Sequence, residues 1–170
     1  MIGAGVAGAL TSGLVRGEVV VARCLRDRDG SLAGPEPRWL EAAVRLGARE
    51  VVAVTVDTVV TGPAERAGLV AALPPGAMAT VDMESTAWSR AAARAATPCL
   101  VLRAISDEPS DTLPEYLSRC LDAAGSVSRG RVLAAALVHP RSLMALVRLR
   151  RNVRSAAERL AGFIEELIRS

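Results

Sequence analysis

Lysine is absent from this sequence, in which all 21 basic residues are arginine, and aromatic residues are nearly absent too. Two Trp, one Tyr and one Phe stand among 170 residues, so alanine, valine and leucine must fill the interior of the one domain that this length allows. The net charge is only +3, and no arginine-rich stretch is interleaved with the aromatic residues that nucleic-acid stacking surfaces require. The composition therefore excludes nucleic acid as an intended partner.

Cysteine is scarce as well. Cys24, Cys99 and Cys120 have no CxxC spacing, which argues against a disulfide framework or a zinc site. An odd number of cysteines with no disulfide framework favours a reducing compartment, so the sequence predicts a cytoplasmic protein. No apolar run approaches the roughly 20 residues that cross a bilayer, and no signal-like segment follows a charged N-terminus.

Strand and helix patterns alternate along the chain. Short runs rich in valine and alanine predict strands, and apolar residues at helical spacing predict helices, two of them beginning near Pro37 and Pro63. The predicted strands are 18–22, 50–56, 77–81 and 100–102, and the predicted helices are 37–46, 64–72, 85–96, 129–138 and 141–168. This order predicts one α/β domain over residues 1–170, with a mostly parallel or mixed central sheet flanked by helices.

The N-terminal glycines match GxGxxG over residues 3–8, the pattern of dinucleotide-binding turns. That motif works only between a strand and a helix, where the glycines let a pyrophosphate approach the helix N-terminus. Only Met1 and Ile2 precede it here, and the strand predicted at 18–22 follows too soon for a crossover helix. The sequence therefore argues against a dinucleotide site.

Polar residues follow two consecutive predicted strands. Glu84 comes shortly after strand 77–81, and Asp107 comes shortly after strand 100–102. Open α/β sheets bind ligands at the carboxyl ends of their strands. We therefore expect Glu84 and Asp107 to face one pocket.

The same residues resemble a known family. Val-Asp-Met-Glu-Ser at 81–85 and Arg-Ala-Ile-Ser-Asp at 103–107 are similar to the signature pair of the purine nucleoside phosphorylase and nucleosidase superfamily. The resemblance implies that Glu84 binds the ribose hydroxyls, that Met83 packs against the sugar, and that Asp107 protonates the purine with Ser106 beside it. Arg103 is expected either to tune Asp107 or bind anions, or to form a structural ion pair.

Further site residues follow from the resemblance. Ala7 and Gly8 correspond to the glycine-rich strand end whose backbone lies near the base and near phosphate or water; Val6 stands where many relatives have Ser. Val59 and Val60 correspond to the segment whose backbone reads the purine edge, although both fit ordinary strand residues equally well. No cofactor is implied, apart from phosphate as a co-substrate if the reaction is phosphorolysis.

The start of the chain departs from the family pattern. In the family a strand-helix-strand unit precedes the glycine-rich strand, whereas Met1 lies within what resembles a middle strand. We therefore expect this first unit to be missing. Its loss would expose a sheet edge, which favours association, and the resemblance also predicts a homo-oligomer.

Two segments narrow the resemblance to the hopanoid-biosynthesis-associated branch, whose enzyme removes adenine from adenosylhopane. They are Asp-Thr-Val-Val-Thr-Gly-Pro-Ala-Glu-Arg at 57–66 and the amphipathic helices over about 129–168. The arginine-rich last helix would suit peripheral contact with the inner membrane surface, or it covers the core with a solvated arginine face. The partner is then a small-molecule or lipid-linked purine nucleoside.

The expected function is cleavage of the N-glycosidic bond of an adenine nucleoside. One alternative is a nucleosidase for methylthioadenosine or S-adenosylhomocysteine. The other is a non-catalytic, nucleoside-binding remnant.

Overall fold

The computed structural model describes residues 1–32, 34–111 and 140–170. The described elements, in chain order, are β1 (Ile2–Ala9), β2 (Val19–Asp27), β3 (Gly30–Leu32), α1 (Pro37–Arg45), β4 (Arg49–Thr55), α2 (Pro63–Ala71), β5 (Ala79–Asp82), α3 (Ser85–Arg94), β6 (Leu100–Asp107) and α4 (Pro140–Arg169). The predicted α/β class is confirmed. The predicted helix at 129–138 lies outside the described residues.

The six strands form one mixed sheet in the order β3-β2-β4-β5-β1-β6, with a further pairing between β2 and β6. Strands β2, β4 and β5 are parallel neighbours, and β1 is parallel to β6. The antiparallel pairs are β2 with β3, β2 with β6, and β1 with β5. The extra pairing joins β6, the last strand in this order, to β2, the second. Strands β2, β4, β5, β1 and β6 therefore form a closed ring, with β3 paired at its edge to β2.

Strand β1 brings the two halves of the sheet together. It pairs with β6 from Ile2 to Gly8, but with β5 only through Gly8 and Ala9, opposite Val81 and Thr80. Because this pairing is antiparallel and involves the carboxyl ends of both strands, the ends of β5 and β6 meet on either side of β1. Glu84 and Asp107 thus converge at strand carboxyl ends, as the sequence predicted, and β1 is the strand that lies between β5 and β6.

The glycine motif lies within β1, since the strand covers residues 2–9. It is therefore not a turn between a strand and a helix, the setting on which the dinucleotide mechanism depends. Gly5 instead permits close packing, because a Cβ there would lie 2.5 Å from Arg103 Nη1.

Strand β2 does not end at Ala22 as predicted but continues to Asp27. Strand β6 does not end at Leu102 but continues to Asp107, and all eight of its residues are buried. Strand β3 was not predicted, because its three residues Gly30–Leu32 follow the polar run 26–30 and show no apolar strand pattern. In the structure Asp27 Oδ1 accepts a hydrogen bond of 2.9 Å from the Asp29 amide, and Gly30 adopts a φ of 126°, which closes a tight hairpin.

Helix α4 packs on the sheet along one face. Its buried residues Ala156, Leu160 and Leu167 share a cluster with Leu102 and Ala104 of β6, at the spacing expected for one helical stripe. The helix has 30 residues, or about 45 Å at 1.5 Å per residue. None of the helices in the described ranges has the length and apolar character needed to cross a membrane.

Shortening Leu160 tests this packing. Leu160 is 4% exposed, and replacing a buried leucine with alanine removes its contacts and leaves a cavity, at about 2–5 kcal/mol. We expect Leu160→Ala to lower the free energy of unfolding within that range in urea titrations. Val147→Ala on the same helix is the control, because Val147 is 61% exposed. Substitutions at such surface sites change the free energy of unfolding by no more than about 0.5 kcal/mol. Equal effects of the two variants would contradict the docking of α4.

Candidate active site

A cavity of about 270 Å³ opens where β1, β4, β5 and β6 end. It is lined by every predicted site residue except Arg103, namely Ala7, Gly8, Val59, Val60, Met83, Glu84, Ser106 and Asp107. Val6 and, from helix α4, Leu149 complete its apolar wall. The two carboxylates on which the sequence argument depends therefore face the same space.

Glu84 is the accessible carboxylate of the cavity. It stands between β5 and α3, where its side chain is 60% exposed and makes no capping hydrogen bond to the helix. Arg103 Nη2 lies 3.8 Å from Glu84 Oε2, beyond hydrogen-bonding distance. The carboxylate oxygens are thus free to accept hydrogen bonds from hydroxyl groups of a ligand.

Asp82 holds the loop that carries Glu84, a role that the sequence did not reveal. Its Oδ1 accepts hydrogen bonds from the amides of Glu84 and Ser85 at 3.1 and 3.0 Å and from the hydroxyl of Thr55 at 3.1 Å. Its Oδ2 accepts from the Ser85 hydroxyl and, at 2.9 Å, from Arg103 Nε. Burial raises the pKa of Asp82, but the Arg103 charge and the Ser85 hydrogen bonds outweigh it and hold the pKa below its ordinary value.

Arg103 lies behind this loop and not on the cavity wall. It is 1% exposed, donates to the Ser85 hydroxyl at 2.9 Å, and stacks on Trp88 with its guanidinium carbon 4.4 Å from the ring centroid. Arg103 is thus the one predicted substrate-binding residue that does not line this cavity. Its contacts fit the alternative of a structural ion pair, which supports Glu84 from behind.

Asp107 is the buried carboxylate of the cavity, with a side chain 9% exposed. The Ser106 hydroxyl lies 2.5 Å from its Oδ1 and 3.2 Å from the carbonyl oxygen of Ala7. Arg66 Nη2 donates to its Oδ2. Asp107 is thus held from both sides, and one oxygen is paired with a cation.

Arg66 also lines the cavity, although the sequence gave no reason to single it out. It belongs to α2, whose neighbouring charges and alanines look like an ordinary solvated helix. The only available signal was the resemblance of the segment 57–66, which includes it. No residue-level role came with that resemblance.

Val59 and Val60 lie after the end of β4 at Thr55, so the alternative that they are strand residues is wrong. Val60 packs partly against the buried cluster around Val54 and Val81, and both valines line the cavity. Asp57 nearby is on the surface, where it pairs with Arg28 at 3.1 Å.

Replacing Asp82 tests the support beneath Glu84. Removing one member of a buried ion pair leaves an uncompensated charge and costs about 3–5 kcal/mol, so Asp82→Asn should lower the free energy of unfolding by that amount at pH 7. Because the pKa of Asp82 is lower in the folded protein than in the unfolded chain, its carboxylate contributes its full stabilisation above the unfolded pKa of about 3.9. That stabilisation is lost as the pH falls through the pKa of Asp82 in the folded protein. The difference in free energy of unfolding between Asp82→Asn and the native protein should therefore be constant from about pH 7 to 5 and shrink in stronger acid.

Denaturant titrations across this pH range provide the measurement, and Asp57→Asn is the matched control because the Asp57 side chain is 77% exposed. A difference for Asp82→Asn that grew in acid would refute the ion-pair account.

No protein-family model and no curated protein matches the amino-acid sequence, but solved structures do match the fold. S-adenosylhomocysteine nucleosidase from Streptococcus pyogenes, in complex with 5-methylthiotubericidin, aligns with a TM-score of 0.70 and 21% identity over 98% of this chain and 66% of its own. The 5′-methylthioadenosine/S-adenosylhomocysteine nucleosidase from Colwellia psychrerythraea, in complex with adenine, aligns with a TM-score of 0.70 and 19% identity over 98% of this chain and 64% of its own.

Futalosine hydrolase of Helicobacter pylori aligns with a TM-score of 0.68 and 17% identity over 98% of this chain and 66% of its own. The chain thus spans slightly less than two thirds of the length of these enzymes. At such identities the likeness concerns the fold alone, and the chain shares the α/β fold of these nucleosidases and of futalosine hydrolase.

Proposed function

We propose that this chain cleaves the N-glycosidic bond of an adenine nucleoside and releases adenine. The observation that carries the proposal is the position of Glu84 and Asp107 on one cavity, one carboxylate accessible and the other buried. The nucleosidase fold supports it, because solved nucleosidases of that fold are in complex with 5-methylthiotubericidin and with adenine.

The sugar would bind at the accessible carboxylate. Glu84 accepts hydrogen bonds from two ribose hydroxyls, which are stronger than neutral ones because the acceptor is charged. Met83, on the same wall, packs its thioether against the sugar ring. Asp82 and Arg103 keep this loop fixed, so that little ordering is needed when the substrate binds.

The base would bind at the other end of the cavity. Val59 and Val60 supply apolar contact for the purine faces, and the backbone of Ala7 and Gly8 borders the same part of the cavity. Asp107 faces the purine nitrogens, where a proton must arrive during the reaction.

In the cleavage step, water replaces adenine at C1′ of the sugar. The bond between C1′ and N9 breaks and its electron pair remains on adenine, while positive charge develops at C1′ close to Glu84. A water oxygen bonds to C1′ and releases one proton to the solvent, while Asp107 relays one proton from the solvent to adenine. Proton transfer of this kind contributes about 10²- to 10⁴-fold, and Glu84 stabilises the transition state more than the ground state. In phosphorolysis a phosphate oxygen takes the place of water.

The 5′ substituent separates two candidate substrates. The segment 57–66 and the arginine-rich face of α4, where Arg148, Arg150, Arg151 and Arg154 are exposed, support an adenosylhopane-type, lipid-linked nucleoside in hopanoid biosynthesis. The protein would then act in the cytoplasm at the inner membrane surface, as a homo-oligomer. The methylthioadenosine nucleosidases among the structural neighbours favour a small soluble nucleoside instead.

Substitution of the two carboxylates tests the reaction. Asp107→Asn removes the proton carrier and Glu84→Gln removes the charge beside C1′, so each should lower kcat/KM for adenine release by roughly 10²- to 10³-fold. Adenine formed from 5′-substituted adenosines is measured by chromatography. Glu41→Gln on the exposed surface of α1 is the matched control and should retain native activity. Binding of adenine without release by the native chain would favour the non-catalytic alternative.

Substrates that differ only at the 5′ position distinguish the two candidates. Each buried methylene is worth about 0.8 kcal/mol, so an adenosine with a long 5′ alkyl chain should exceed methylthioadenosine in kcat/KM by at least about tenfold if the natural substrate is a lipid. Rates with and without inorganic phosphate distinguish phosphorolysis from hydrolysis. A preference for methylthioadenosine would contradict the lipid assignment while leaving adenine release intact.

A further inference from the structure

Arg66 is a buried cation beside the candidate active site, and the reaction scheme above does not use it. Its side chain is 3% exposed, although it projects from α2, a helix whose other described residues are at least partly accessible. Taking a guanidinium out of water is unfavourable unless good partners compensate. The buried Arg66 guanidinium therefore requires compensating partners inside the protein.

Two contacts hold the guanidinium at the ends of two strands. Nη1 donates to the carbonyl oxygen of Ala9 at 2.6 Å, at the end of β1, and Nη2 donates to Oδ2 of Asp107, at the end of β6. Among the described residues Nε has no hydrogen-bond partner. Arg66 thus fixes the Asp107 carboxylate relative to β1.

Gly8 makes this arrangement possible. A Cβ at position 8 would lie 2.8 Å from Asp107 Oδ2 and 3.3 Å from Arg66 Nη1, so any side chain there would force the pair apart. The last glycine of the N-terminal motif therefore has a local explanation, since it provides the space in which the ion pair forms.

The charge of the pair matters for the reaction. An isolated Asp107 carboxylate would oppose the negative charge that develops on the departing adenine, because like charges repel strongly in a poorly solvated site. With Arg66 bound to Oδ2 of Asp107, the pair has no net charge, and the Ser106 hydroxyl holds Oδ1. Fixed charges arranged before the reaction act without the cost of reorganising solvent.

We propose that Arg66 is a positioning residue for Asp107: it fixes the carboxylate and offsets its charge while adenine leaves. The inference rests on the proposed function. Because Arg66 acts through Asp107, removal of Arg66 should lower kcat far more than it changes KM. Removal of Arg66 should have this effect only when Asp107 is present.

A double-mutant cycle tests this dependence. Arg66→Met should lower kcat for adenine release by roughly 10²-fold, the effect of removing one preorganised charged donor, with KM changed less than about threefold. In the Asp107→Asn background the same substitution should lower kcat by less than about threefold, because residues that act as a unit are non-additive. Arg66→Lys keeps the cation and should recover about tenfold of the loss, although an ammonium group cannot bind both acceptors in the same geometry.

Arg26→Met is the matched control. Arg26 joins β2 to the other end of α2 through a hydrogen bond of 2.8 Å from its Nη1 to the Ala72 carbonyl oxygen, so its loss also loosens the helix but does not touch Asp107. Its kcat should stay within about threefold of the native value, since a surface contact far from the reacting groups mainly affects stability.

The outcomes are distinct. Equal losses of kcat from Arg66→Met in the native and Asp107→Asn backgrounds would overturn the inference and leave the proposed function standing. A similar loss for Arg26→Met would also overturn it, because a merely structural role for α2 would then suffice. Absence of adenine release by the native chain would refute the proposed function and the inference together. If Arg66→Met does not fold, the same cycle is run with Arg66→Lys.

Discussion

The short pairing between β1 and β5 is the constraint on which the rest of this structure depends. Only Gly8 and Ala9 take part, opposite Val81 and Thr80, yet this contact joins the β1–β6 pair to the parallel strands β2, β4 and β5. The carboxyl ends of four strands meet as a result. Strand β6 is also joined to β2, but it is the β1–β5 pairing that places the carboxyl ends of β5 and β6 on either side of β1.

Each carboxylate of the cavity is supported by its own buried arginine. Arg103 holds Asp82 and thereby the loop of Glu84, while Arg66 holds Asp107 directly. Both guanidinium groups lie against glycines of β1, Gly5 and Gly8 respectively. The glycine-rich start of the chain thus serves to admit large charged side chains next to the backbone, which explains a composition that first suggested nucleotide binding.

The fold was largely accessible from the sequence because its signals are local. Valine runs marked β2 and β4, and a proline in the first turn marked α1 and α2. The convergence of Glu84 and Asp107 followed from strand ends together with the family resemblance. What sequence reasoning missed depends on contacts between distant segments: Arg66 looks like any helical surface arginine, and Arg103 lies in a strand whose neighbours no local pattern specifies. Strand β3 was missed because its pairing comes from a tight turn and not from an apolar run.

The absence of lysine has a consequence for the buried pairs. A lysine ammonium can release its proton when it is desolvated, whereas a guanidinium in a protein does not. The positive partners at positions 66 and 103 are both guanidinium groups, so neither pair depends on a proton that desolvation can remove from its cation. For Asp82, burial raises the pKa but the Arg103 charge and the Ser85 hydrogen bonds outweigh it, so only strong acid should break the pair of Asp82 with Arg103.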